Sequence, residues 1–241
     1  MSKRIKRIVI PDDDYSKGLE KVNAKIPSPL PKACFAMLLL ASRGSGKTTL
    51  LINLLINFYK GIFHHVFIFS PTLNSDPKYR AIRIDDEQKF EEYTDEYLQS
   101  IIDFMDTEAN KNKFALIVFD DCIDMFDRKS LVNTLITRAR WHRISLLFSL
   151  QYSKYLSPTI RNNITSCIVV GNSIKQEELK KIDEILDPEF EKYYRQLKKR
   201  DVSKYNFIYM NFEASDGNDS IMFNFDNLIY LKDGNVRIPE I

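Results

Sequence analysis

Five short, mainly apolar runs occur before Gly171, at residues 34–40, 65–70, 114–119, 144–150 and 166–170, the first and third of them continuous. Each lacks the alternation of a half-exposed strand and is closed by a turn residue, a charge or an amide, the pattern of strands covered on both faces. Between the first two, Leu50, Leu51, Leu54, Leu55 and Phe58 recur at helical spacing, predicting a helix over 48–59. Strand, helix and strand within 34–70 predict a right-handed parallel crossover. The acidic stretch 85–106 spaces Phe90, Tyr93, Tyr97, Ile101 and Phe104 three to four apart, predicting one or two amphipathic helices outside the sheet, and Leu131, Leu135 and Ile136 predict another helix within 129–142. This alternation predicts an α/β fold with a mainly parallel central sheet flanked by helices.

The ends read differently. Residues 1–32 mix charge with Pro11, Pro27, Pro29 and Pro31 and are expected as an extended lead-in, available to drape over a neighbour. Beyond Gly171, 176–186 and 188–199 read as two charged helices, and 206–212 and 221–231, joined by a polar segment, as antiparallel strands. One domain over 33–241 is expected, with a nucleotide-binding core over 33–171 completed by 172–241.

Composition narrows the function. With 241 residues, 44% of them hydrophobic and 28% charged, the chain can bury a full core. Lys+Arg 35 against Asp+Glu 33 leaves +2, which argues against binding nucleic acid by bulk charge, so any such contact is a local patch. Cys34, Cys122 and Cys167 are odd in number and far apart, which excludes a disulfide scaffold or a Cys-x-x-Cys site and fits a reducing compartment. No secretory signal follows the basic opening, and no apolar run approaches the roughly 18 residues of a membrane-spanning helix.

Seven glycines are few for this length, so the two in Ala41-Ser42-Arg43-Gly44-Ser45-Gly46-Lys47-Thr48 carry weight. The octet lies between a buried strand and an amphipathic helix, where backbone N–H groups and the helix dipole converge on an anion. Residues Ser42 to Thr49 are the candidate phosphate cradle. Gly44 and Gly46 permit close approach, Lys47 reaches the β and γ phosphates, and the Thr48 hydroxyl can ligate Mg²⁺. Ala41 stands where the usual pattern begins with glycine, a mild departure.

Three further elements bear on chemistry. The run 114–119 ends in Asp120-Asp121: Asp120 is the candidate second Mg²⁺ ligand and Asp121 the group that acts on an attacking water. The run 144–150 ends in Gln151, placed to sense the γ-phosphate or orient the water. Between them lies Arg138-Ala-Arg140-Trp-His-Arg143, with Arg161 further on. Arg140 is the first candidate and Arg161 the second for an arginine inserted by a neighbouring subunit, against the alternative that such arginines pair with acids of 85–106. His64 and His65 open a strand without other metal ligands, and Asn110-Lys111-Asn112-Lys113 lacks the aspartate of a guanine-reading motif.

The ordered set of Ala41 to Thr48, 116–121, Arg138 to Gln151 and Leu156-Ser-Pro-Thr-Ile-Arg161-Asn-Asn resembles the FtsK/HerA superfamily, and within it the poxvirus-type genome-packaging ATPases of large DNA viruses and virophages. The resemblance implies a P-loop NTPase of the ASCE, RecA-like type with the glutamine strand between the two Walker strands. It implies hydrolysis of ATP with Mg²⁺ and a trans arginine finger. It also implies a homo-oligomeric ring, pentamer or hexamer, that drives double-stranded DNA into a preformed capsid at a capsid or portal-vertex protein. The location implied is the virion or the virus factory in the host cytoplasm. The family places its arginine shortly before the glutamine strand, which ranks Arg140 above Arg161. The alternatives are a non-translocating ATP-switch assembly factor, a cellular FtsK/HerA-type DNA pump and a small-molecule kinase.

Overall fold

The computed structural model describes residues 14–122, 129–171, 180, 191, 194–195, 205–213, 221–225, 227–228, 230–232 and 235–237. The five apolar runs become strands β1 (Ala36–Ala41), β2 (His65–Phe69), β4 (Ala115–Asp120), β5 (Ile144–Leu150) and β6 (Ser166–Val170), and a two-residue β3 (Lys89–Phe90) is added at one edge. Beyond Gly171 come β7 (Phe207–Asn211), β8 (Ile221–Phe223) and β9 (Asn227–Leu228). The sheet order is β3-β2-β4-β5-β1-β6-β7-β8-β9, parallel as far as β6 and antiparallel after it. A separate hairpin pairs β10 (Tyr230–Lys232) with β11 (Asn235–Arg237). The glutamine-bearing β5 lies between β1 and β4, as the expected fold class requires.

Successive side chains of each buried strand enter opposite cores. Leu38, Leu40, Ile117 and Phe119 pack with Leu98, Ile102 and Met105 of α3 (Asp95–Met105), with Leu135 of α4 (Leu131–Arg138) and with Ile160 of α5 (Pro158–Asn162). Met37, Leu39, Leu116 and Val118 pack on the other face with Val22 of α1 (Asp14–Asn23) and Leu51 of α2 (Lys47–Asn53). A ladder of stacked rings crosses four adjacent strands: Phe90 on Phe69 at 4.7 Å, Phe69 on Phe119 and Phe119 on Phe148, both at 5.3 Å. Among the described residues no helix is long and apolar enough to cross a membrane.

Four expectations are corrected. Residues 14–23 are helical rather than extended. Val22 is buried in the core, so docking on it supplies what the weak sequence pattern does not. The predicted helix over 48–59 is α2 followed by a π-helical turn, Leu54–Phe58. Only the second half of 85–106 is an α-helix; the first holds a 3₁₀ turn (Asp86–Gln88) and β3. The expected strand 221–231 is broken after β8, where Asn224 and Phe225 adopt positive φ of 54° and 66°. The charged helices predicted over 176–199 lie mostly outside the described residues; Lys180, Glu191, Tyr194 and Arg195 are helical.

Candidate active site

β1 ends at Ala41 and α2 starts at Lys47, so residues 42–46 form the connecting loop. Ser45 closes it, its amide donating to Ser42 O at 3.2 Å and its hydroxyl at 2.6 Å. Gly44 and Gly46 hold φ of 76° and 90°, left-handed conformations that favour glycine. The first intrahelical bond runs from Leu50 N to Gly46 O, so the amides ahead of it have no acceptor inside the helix. Arg43, Gly44 and Thr49 are exposed, Thr48 is half-buried in the first turn, and Ser45 and Lys47 are buried. Backbone donors gathered at a helix N-terminus are a seat for phosphate.

Asp120 lies across from this loop because β5 separates β4 from β1 by one strand only. Strand alternation does the aiming. Phe69, Phe119 and Phe148 stack on one face, and the residues after them, Ser70, Asp120 and Ser149, form a polar row at the strand ends. Lys47 is 7% exposed and Asp120 1%. Lys47 Nζ is 2.9 Å from Asp120 Oδ1 and 2.5 Å from Asp121 Oδ1, and donates to Ser149 O at 3.4 Å. The Ser149 hydroxyl donates to Asp120 Oδ1, and the Tyr79 hydroxyl donates to Asp120 Oδ2. Tyr79, on a 3₁₀ turn at Pro77–Ala81, also lies 3.2 Å from Ser70 Oγ. Burial first, then the Asp120 charge, holds its phenol well above the usual range.

Asp121 leaves the strand with φ 54°, its amide donating to Ser149 O at 2.9 Å. This turn lifts its side chain out to about one quarter exposure and towards Gln151, whose Nε2 donates to Asp121 Oδ1 at 3.5 Å. Cys122 is driven back into the core beneath the acids. Burial, then the charges of Asp120 and Asp121, push its thiol up to about 12, and Sγ donates to Phe69 O.

Lys47, Asp120, Asp121 and Gln151 thus meet in one crevice. One cation between two carboxylates leaves net negative charge, and the nearby oxygens, Asp120 carboxylate and Thr48 hydroxyl, are the hard donors Mg²⁺ selects. Sequence reasoning missed Tyr79 and Ser149. The Ser149 position was signalled by strand alternation, while nothing local marks Tyr79, 41 residues from its partner.

The two arginines are elsewhere. Arg140 precedes β5 and Gln151 follows it, so a strand of seven residues, roughly 20 Å, separates them. The Arg140 side chain is 75% exposed and meets Glu213 Oε1 at 3.2 Å. Arg161 is half-buried in the last turn of α5, ahead of β6. Of the arginine-rich segment it is Arg143, with His142, that reaches the acidic helix, both pairing with Asp106. His64 Nδ1 accepts from Phe114 N and His65 pairs with Asn110, strand-end roles for both.

The fold is that of a DNA-packaging ATPase, B204 from Sulfolobus Turreted Icosahedral Virus, at TM-score 0.61 and 16% identity over 79% of this chain and 97% of that one. The genome packaging NTPase B204 from Sulfolobus turreted icosahedral virus 2 superposes at 0.62 in complex with AMPPCP, at 14% identity over 78% and 96% of the two chains. In complex with ATP-gammaS it superposes at 0.59, at 14% identity over 78% and 95%. No curated protein sequence matches the chain. The family described as poxvirus A32 protein matches residues 27–192, well over half of the length. Since that match runs through every strand end that reaches the crevice, from the loop at Lys47 to Gln151, the chain belongs to the poxvirus A32 protein family.

Proposed function

We infer that this protein is an ATP-driven DNA translocase that packages double-stranded viral DNA into a preformed capsid. The carrying observation is the double ion pair of Lys47 with Asp120 and Asp121, which makes the phosphate loop and the acid-tipped strand a single site. The nucleotide-bound packaging relatives of the same fold support ATP as the ligand.

A triphosphate seated on the 42–49 loop draws Lys47 towards its β and γ phosphates. Asp120 and Asp121 then lose their shared cation and regain unmatched charge. Thr48 and Asp120 would hold Mg²⁺, which when bound would supply charge neutralisation at the phosphates. Tyr79 and Ser149 hold the Asp120 carboxylate from both oxygens and so fix its orientation. Asp121, partly exposed and bonded to Gln151, takes the proton of the attacking water, and Gln151 reports the γ-phosphate to β5.

An arginine from the next subunit completes the site, Arg140 ahead of Arg161. Arg140 lies a whole strand length from Gln151, too far to serve its own subunit by side-chain motion alone. Trp141, 78% exposed beside Arg140, is the kind of large apolar group that subunit interfaces bury, which supports a homo-oligomeric ring of five or six. The capsid or portal vertex and duplex DNA are its partners, in the virion or the virus factory.

The test is ATP turnover with and without duplex DNA for the wild type, Lys47→Ala and Asp121→Asn. DNA should stimulate the wild type, both variants should lose at least a hundredfold in turnover, and Asp121→Asn should still bind ATP. Tight ATP binding with negligible turnover in the wild type would favour an assembly switch, and phosphate transfer to a metabolite would favour a kinase.

A further inference from the structure

At the end of the sheet away from the nucleotide crevice, a groove of about 610 Å³ opens beside the start of β2. Its walls carry Lys60, His64 and Arg83, with Asp85 as the one acid among its described lining residues. Lys25 and Lys113 extend the positive field: after burial, their charges are what push the His64 imidazole below its usual range. Among the described residues, none of Lys25, Lys60, Arg83 or Lys113 is engaged in an ion pair, in contrast to Lys47, Lys78, Lys89 and Lys111. Lys25, Lys60, His64 and Arg83 are all exposed. Unpaired cations on one face are a site for a polyanion, and a chain of net charge +2 needs such a patch to hold one.

Both walls are tied to the nucleotide crevice. One is the end of a single helical rod that begins at Lys47, runs through α2 and the π-helical turn Leu54–Phe58, and delivers Lys60 two residues later. A π turn within a helix is a frequent mark of a functional adjustment point. The other wall leaves the 3₁₀ turn that carries Tyr79, the residue bonded to Asp120, and reaches Arg83 four residues on. A shift of Lys47 therefore reaches one side of the groove along the helix, and a shift of Asp120 reaches the other through its hydrogen bond with Tyr79.

We propose that this groove grips the phosphate backbone of duplex DNA, with Lys60 and Arg83 as its principal contacts, an assignment that rests on the translocase reading above. Binding is sequence-independent, because contacts of Lys60 and Arg83 with phosphate oxygens carry no base information.

The test is fluorescence anisotropy of a labelled duplex with the full-length chain over a salt series. Lys60→Ala/Arg83→Ala should bind about tenfold more weakly, equally for unrelated sequences, and its slope of log affinity against log salt should be shallower by about 1.8. Lys60→Glu/Arg83→Glu should lose binding, while both keep the wild-type affinity for a fluorescent ATP analogue and the wild-type unfolding temperature. Arg138→Ala, an exposed arginine on α4, should bind DNA as the wild type does. Wild-type affinity and slope in the double variants, or an equal loss in Arg138→Ala, overturns the proposal. So does a loss of self-association on sedimentation with DNA affinity intact, which would make the groove a seat for a second copy. A wild type that binds no duplex in any nucleotide state would instead remove the translocase reading itself.

Discussion

Gly46 joins two constraints that differ in kind. Its φ of 90° costs an L-residue about 1–2 kcal/mol, and a Cβ there would stand 3.0 Å from Cδ1 of the Tyr205 ring. Gly44 shares the positive φ but faces open space. Gly46→Ala should therefore weaken binding of an ATP analogue by tenfold or more, and by more than Gly44→Ala does; equal losses in a titration of the two would show that the Tyr205 contact carries no penalty. Tyr79 poses a different question. Removing its hydroxyl leaves a buried carboxylate oxygen short of a donor, worth about 1.5–3 kcal/mol for a charged acceptor. Tyr79→Phe should lower the unfolding free energy from a urea melt by that amount and raise the Mg²⁺ concentration needed for half-maximal turnover, and an unchanged melt would show the bond to be idle.

Among the elements, legibility in the sequence followed burial. β1, β2, β4, β5 and β6 were readable because a strand covered on both faces must be apolar throughout, and Asp120 and Gln151 were readable because polarity resumes where such a strand surfaces. β3 escaped because two residues, one of them Lys89, carry no period, and they are held by the parallel pairing of Phe90 with Phe69. The switch to π geometry at Leu54 escaped because its residues keep an apolar face in either helix type. Helix α1 was hidden by its lysines, its stability coming from Val22 in the core rather than from its own pattern. Tyr79 shows the limit most plainly: the loop that carries it is set by Asp76 capping Lys78 N and by tertiary packing, neither of which a linear motif encodes.

For the whole molecule, the two histidines at the start of β2 set a pH response. Burial, the largest cause for each, holds both imidazoles below their usual range, and Lys113 adds to this in both cases. The unfolded chain then takes up protons first as pH falls, so the stability these groups permit is complete above about pH 6.5 and declines below it. Thermal unfolding should occur at a lower temperature at pH 5.5 than at pH 7.5, and His64→Gln/His65→Gln should flatten that difference; a variant with the full wild-type difference would assign it to other groups. The same view separates two ends of the molecule, the acids and phosphate-type loop at the strand tips and free cations at their origins, joined by the rod from Lys47 to Lys60.

The four phenylalanines stacked from β3 to β5 bear on how such a joint could work. Flat rings in face contact resist shear between neighbouring strands, so Ser70, Asp120 and Ser149 ride on what amounts to one stiff plate. A sheet braced in this way does not flex between β3 and β5, so any adjustment at the site falls to what borders it, the loop and the helix that begin at Lys47.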